Sequence, residues 1–381
     1  MTFRVLTIMG TRPEAIKLAP VVGELAARDA FEQIVVATGQ HRQMLDQALD
    51  LFGIRPDVDL DLMQQNQGLG EFASRALAAL TELFERTEPD CVLVQGDTTT
   101  VMAAALAAFY LGIPVGHVEA GLRSFDLRNP FPEELNRKVA GCAAALHFAP
   151  TERARENLVR EGADPGAVFV TGNTIVDALE LVRPDVPFVD PALELVDLGG
   201  RVLLVTAHRR ENHGAPLRSI CRALGRLAAE HEDLQIVYPV HLNPSVRSVV
   251  DEELADNCQI HLVDPLCYSD LLGLMRGCWL ILTDSGGIQE EAPSFRKPVL
   301  VLRDATERPE LIEAGLGRLI GVEEERIVEE ASALLTDDEL YARMSDGQNP
   351  FGDGLAASRI AGILERELAA TGARATARIS A

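Results

Sequence analysis

The segment WLILTDSGGIQEEA, Trp279 to Ala292, decides how the rest of the chain is read. Its opening WLILT is an uninterrupted apolar run, the pattern of a strand buried on both faces. Asp-Ser-Gly-Gly follows at once, and then a short helical pattern carrying two glutamates. A strand that runs straight into a glycine-opened helix leaves free N–H groups at the helix start, where the dipole favours an anion. Ser285, Gly286 and Gly287 would supply those groups and a close backbone approach. Glu291, four residues after Gly287, would stand on the same helical face, one turn above the anion. A carboxylate there is a good acceptor for vicinal ribose hydroxyls, so the segment suits a ligand anionic at one end and hydroxyl-rich at the other. Its bland alternative is a plain glycine-containing helix start.

The same strand–helix alternation extends both ways. RVLTIM, QIVVAT, CVLVQ, IPVGHV, ALHFA and VFVTG read as strands of a first half, separated by helical stretches at 13–28, 44–52, 70–86 and 99–110. After the Pro- and Asp-rich RPDVPFVDPALELVDLGG (183–200) the alternation restarts with RVLLVTA, LQIVYPV, QIHLV, WLILT and PVLVL. Apolar strands crossing over through helices predict parallel sheets covered on both faces. The expectation is α/β: two doubly wound Rossmann-like domains facing a cleft, the first at 1–182 and the second at 183–355. A length of 381 residues also suits two cores better than one.

Composition limits the function classes. A net charge of −23 argues against nucleic acid, which needs a basic footprint. Six cysteines, at 91, 142, 221, 258, 267 and 278, form no C-x-x-C and no zinc spacing, so no metal is expected and free thiols in a reducing compartment are. MTFRVLTIMGTRPE has too short an apolar run for a signal peptide, and the Ala-rich VMAAALAAFYLGIPVGHV is broken at Gly112 and Pro114, so neither export nor a membrane span is expected. A cytoplasmic location follows as an expectation. No G-x-G-x-x-G follows a strand and no Walker A is present, which weakens dinucleotide and P-loop readings.

In open parallel sheets ligands bind beyond the carboxyl ends of the strands, and the conspicuous polar residues fall there. RVLTIM runs into Gly10-Thr11-Arg12-Pro13-Glu14, a T-x-x-E capping box that places Arg12 at the helix mouth with Lys17 one turn on. CVLVQ ends in Gly96-Asp97-Thr98, where Asp97 is either an N-cap or a ligand-facing carboxylate. IPVGHV ends in Glu119, a carboxylate after a strongly apolar strand that would be costly to leave unpaired. RVLLVTA ends in His208-Arg209-Arg210-Glu211-Asn212. Each has an ordinary structural explanation; together they place charge suited to one crevice at strand ends in both halves.

At GTRPEAIKLAP, TGQHRQMLDQ, GDTTT, GHVEAGLRS, PFPEELNR, HRREN, YPVHLNP, LTDSGGIQEEAPS, RDATERPE and NPFGDG, in order along nearly the whole chain, the sequence closely resembles the non-hydrolysing UDP-N-acetylglucosamine 2-epimerases. The resemblance implies the glycosyltransferase-B fold, with a C-terminal helix at about 356–372 crossing back onto the first domain. It implies interconversion of UDP-GlcNAc and UDP-ManNAc without a cofactor, and a homodimer. It points to Asp97, Glu119, Glu133 and His208 as catalytic. Arg12, Lys17, Ser285, Gly286, Gly287, Glu291 and Arg308 match the nucleotide and diphosphate site, with Leu266 and Leu271 in the loop DPLCYSDLL expected at the uracil. Gln40, Gln43, Gln67, Glu133, Arg209 and His241 match positions that bind a second, activating UDP-GlcNAc. Gln95 stands where many relatives have His.

The chemistry so implied is demanding. The C2 proton of the sugar is not next to a carbonyl; departure of UDP from C1 would acidify it, giving 2-acetamidoglucal, to which UDP re-adds with protonation on the other face. This needs an acid and a base near neutral pKa and cations on the departing diphosphate. The rivals are a glycosyltransferase of the same fold, a nucleotide-sugar-binding regulator without turnover, and a 2-epimerase of a UDP-2,3-diacetamido uronic acid.

Overall fold

The computed structural model of the chain describes residues 2–40, 42–64, 67–182 and 187–379, with side chains described for all of these except 42, 43, 210 and 371–379. The chain forms two compact units, Met1–Val182 with Phe351–Ala381, and Arg183–Pro350.

The first unit is built on a seven-stranded sheet. Its strands are β1 (Phe3–Met9), β2 (Phe31–Ala37), β3 (Val58–Asp59), β4 (Cys91–Gln95), β5 (Val115–Val118), β6 (Leu146–Ala149) and β7 (Val168–Val170). They lie in the order β3-β2-β1-β4-β5-β6-β7, with every pairing parallel. The order reverses between β1 and β4, the point at which open α/β sheets form their ligand crevice. Strands such as CVLVQ are buried along their whole length, which is why they read as continuous apolar runs. Val58–Asp59 was too short for its sequence to announce it as a strand, but it pairs with Val36 and Ala37 at the sheet edge.

The second unit repeats the plan with β8 (Arg201–Thr206), β9 (Leu234–Pro239), β10 (Ile260–Val263), β11 (Leu280–Thr283), β12 (Val299–Val301) and β13 (Gly317–Leu319), in the order β10-β9-β8-β11-β12-β13. The switch point here lies between β8 and β11. Leu203, Val205, Ile236, Tyr238, Leu280 and Leu282 from the sheet pack with Leu217, Ile220 and Leu224 of the helix Ala215–Glu230 in one fully buried core.

The last helix spans Ala356–Ile379, longer than the expected 356–372, and packs in the first unit on the helices Arg12–Ala26 and Thr174–Leu181. The return to that unit begins at Phe351, whose carbonyl accepts from the N–H of Asn173 at 2.7 Å. Asp177, buried beneath the start of this helix, accepts from the N–H of Ala357 at 2.8 Å.

Candidate active site

In the first unit the tips of β1, β4 and β5 enclose a cavity of about 420 Å³ lined by Thr11, Glu14, Lys17, Gln40, Asp97, Glu119, Glu133 and Asn136, among others. Gly10 makes the arrangement possible, because a Cβ there would collide with the hydroxyls of Thr38 and Thr100, which themselves hydrogen-bond at 3.0 Å. Gln40 accepts from the Thr100 hydroxyl at 2.8 Å and so joins the cavity wall.

Asp97 is not the cap of the helix Thr99–Tyr110. Thr98 is, its hydroxyl accepting from the N–H of Val101, which frees the Asp97 carboxylate to pair with Arg137. Asn136 donates to the Asp97 carbonyl at 3.0 Å. Glu119 sits in the left-handed region at φ 61°, a conformation that costs a non-glycine residue free energy and recurs at functional sites. Its carboxylate pairs with Lys17, both side chains nearly buried, and accepts from the Asn173 amide at 3.1 Å. Lys17, expected on a diphosphate, is thus engaged with a carboxylate. Glu133 opens the helix Glu133–Ala143; burial, and then the charge of Asp97, raises its pKa.

Glu14 turned out to be more than half of a capping box. Its carboxylate accepts from the N–H groups of Gly10 at 2.6 Å and Thr11 at 2.7 Å, and from the hydroxyls of Thr11 and Thr98. It therefore ties the loop after β1 to the loop that carries Asp97. Burial pushes its pKa up to about 7 against the lowering effect of those bonds. Arg12 is the first residue of its helix, as expected, but does not line the cavity. Below the Asp97 loop, His117 holds the Gly96 carbonyl at 2.8 Å, and burial lowers its pKa to about 4.

In the second unit β11 delivers Asp284 and Ser285 to the start of the helix Gly286–Glu291. Gly286 is needed for close approach: a Cβ would lie 2.9 Å from the guanidinium carbon of Arg308, which packs across it. Arg308 pairs with the buried Glu290 at 2.9 Å and lies 3.5 Å from Glu307, whose pKa falls to about 2 under its bond to Arg303 and the charges of Arg308 and Arg303, against burial. A Cβ on Gly287 would be 3.9 Å from Glu291 Oε1, so the glutamate does stand over that glycine. Leu266 and Leu271, after β10, are partly buried. His208 stacks on His241, ring centroids 5.6 Å apart and planes 10° apart. Burial lowers the His208 pKa, opposed by the charge of Asp284. Arg209 lies 3.8 Å from Glu307. Gln67 accepts from Arg75. The Gln43 side chain lies outside the described residues.

Sequence reasoning missed Glu14, Arg137, Asp284 and Glu290. Arg137 had a signal, because EELNR puts it four residues after Glu133 on one helical face. Glu14 looked fully explained by capping.

Two doubly wound parallel sheets with polar clusters at both switch points define the glycosyltransferase-B-like class, a description the solved structures share. The protein from Neisseria meningitidis, described as UDP-GlcNAc 2-epimerase bound to UDP-GlcNAc, superposes with a TM-score of 0.89 at 45% identity, covering 95% of this chain and 100% of that one. The family model described as UDP-N-acetylglucosamine 2-epimerase matches residues 23–365. The UDP-N-acetylglucosamine 2-epimerases of Escherichia coli (strain K12) and Bacillus subtilis (strain 168) are each 52% identical, over 94% of this chain and 97% and 93% of theirs. The chain belongs to the UDP-N-acetylglucosamine 2-epimerase family and is an isomerase. No described helix is long and apolar enough to cross a membrane.

Proposed function

We propose that the chain interconverts UDP-GlcNAc and UDP-ManNAc by the non-hydrolysing route, drawing acid and base from Asp97, Glu119 and Glu133. The observation that carries this reading is the single cavity of about 420 Å³ that Asp97, Glu119 and Glu133 share with Glu14 and Lys17. It is a size suited to a hexose. One carboxyl there has a raised pKa and another is paired with an ammonium, the division that lets like groups act as acid and base at one pH.

In the forward direction a carboxylate takes the C2 proton while the C1–O bond breaks, its electron pair leaving with UDP, and a C1–C2 double bond forms. In the return, a UDP oxygen attacks C1 and C2 takes a proton on the opposite face. The neighbouring cations Lys17 and Arg137 hold the carboxylates between steps. Within the second unit the nucleotide is held by Ser285, Gly286 and Gly287 with Arg308 at the diphosphate, Glu291 at the ribose, Leu266 and Leu271 at the uracil, and His208 at the sugar–diphosphate end. For a second, activating UDP-GlcNAc the first unit offers Gln40, Gln43, Gln67 and Glu133. The chain works as a cytoplasmic homodimer; six free thiols fit a reducing compartment, and the exposed Phe109, Tyr110, Phe125 and Phe131 of the first unit suit a covered face.

Proton NMR in deuterated buffer, with UDP-GlcNAc as the only substrate, tests the reading. The expected result is UDP-ManNAc with one deuterium at C2 and the pyrophosphate linkage retained. Unchanged UDP-GlcNAc points to a glycosyltransferase awaiting an acceptor or to another sugar, and accumulating free UDP points to a hydrolysing enzyme.

A further inference from the structure

Asp284 follows β11 directly and is fully buried. Its two oxygens are used very differently. Oδ2 accepts three hydrogen bonds, from the N–H groups of His208 and Arg209 and from the amide of Asn212, each at 2.9 Å. Oδ1 is buried without a hydrogen-bond partner, and it faces the His208 ring, 3.9 Å from Nδ1. The carboxylate therefore grips the backbone of the residue whose side chain its other oxygen addresses.

We propose that Asp284 is the positioning residue of His208, holding the imidazole with Nδ1–H directed at Oδ1 so that Nε2 is the nitrogen presented to the ligand. A carboxylate behind a functional imidazole fixes both its tautomer and its orientation. The 3.9 Å separation is longer than a hydrogen bond, and a small rotation of the half-exposed ring closes it, as such contacts tighten when a ligand binds. Among the described residues, His241, Arg209 and His213 each disfavour a positive imidazole at this ring. Asp284 is the group that favours it, and its reach to the ring comes from the facing strand tip, not from the histidine's own loop. The role of His208 in turnover rests on the function proposed above; its tautomer does not.

The variant Asp284→Asn separates positioning from simple loop support. Three donors converge on Oδ2, so the amide oxygen must take that place and keep all three bonds. The amide NH₂ then replaces Oδ1 and presents a donor where Nδ1–H needs an acceptor. In ¹⁵N-labelled protein, with His208 signals identified by their loss in His208→Gln, the neutral wild-type ring is expected as Nδ1–H and the Asp284→Asn ring as Nε2–H. Turnover of UDP-GlcNAc is expected to fall roughly 10–100-fold in kcat, with little change in KM or thermal midpoint. Wild-type tautomer and wild-type kcat in Asp284→Asn overturn the proposal. Should that variant not fold, the wild-type spectrum decides, since an Nε2–H ring there overturns it equally. A wild-type chain without turnover defeats the substrate assignment and leaves the tautomer to decide this one.

Discussion

Asp97 and Glu119 face one cavity but are held by different means, Asp97 through Arg137 on a neighbouring helix and Glu119 through Lys17 and a left-handed backbone. If both handle protons, Asp97→Asn and Glu119→Gln should each lower kcat by roughly 10²–10⁴ while leaving the fold intact. Near-normal turnover in both would remove them from the chemistry. Glu14 makes a different prediction, about stability. Its pKa is raised to about 7 from an ordinary 4.5, so its contribution is fully present below about 4.5 and is lost as the pH rises through about 7. Glu14→Gln keeps an acceptor for Gly10 and Thr11 and removes the buried charge. Relative to wild type it should therefore gain on the order of 1–3 kcal/mol between pH 5 and pH 8 in urea titrations. A constant difference across that range would mean Glu14 does not titrate there. The sequence exposed Asp97 and Glu119 because a carboxylate after an apolar strand is conspicuous. Glu14 stayed hidden because a capping box already explained it; Asp284 too follows an apolar strand, but its partners His208, Arg209 and Asn212 lie far along the chain and no local pattern points to them.

Among the elements, long buried strands and strong helices were legible, since burial on both faces leaves an apolar run that no loop would carry; Cys91–Gln95 and Thr99–Tyr110 appear where their residues predict. Val58–Asp59 and Gly317–Leu319 were not, because strands of two and three residues have no period to detect and exist through pairing with a neighbour. The C-terminal helix Ala356–Ile379 shows how such tertiary dependence works at a helix end. Its first turn is satisfied by Asp177, from a helix well over a hundred residues earlier in the chain, and Arg28 reaches the Ser358 carbonyl at 3.2 Å. Burial raises the Asp177 pKa, while its bonds to the Ala357 and Ala356 N–H groups oppose the rise. Asp177→Ala leaves those donors without their acceptor, and should cost about 0.5–2 kcal/mol, the usual loss of a helix cap. Hydrogen exchange should show the loss concentrated at the start of the last helix. Uniform loosening of the sheet instead would mean that Asp177 supports the core and not the helix end.

At the scale of the whole molecule, acid should destabilise the chain even though acid also relieves its charge. A formal −23 at pH 7 implies self-repulsion that protonation reduces. Against this stand His117 and His147, direct neighbours across β5 and β6, both buried and both lowered to about 4 from 6.5 chiefly by burial. A histidine whose folded pKa is depressed contributes stability that is present above 6.5 and lost as the pH falls through 4, because the unfolded chain takes the proton first. The pair should withdraw on the order of a few kcal/mol over that window. Glu14 works the other way over part of it, with one proton against two. His147→Phe isolates the effect: the His147 Nδ1 has no hydrogen-bond partner, so an apolar ring of similar size leaves no orphaned group. Urea midpoints measured from pH 7 to pH 4 should fall more gently in His147→Phe than in wild type, with the curves converging or crossing at the acid end. Parallel curves would show that His147 carries its proton folded as readily as unfolded.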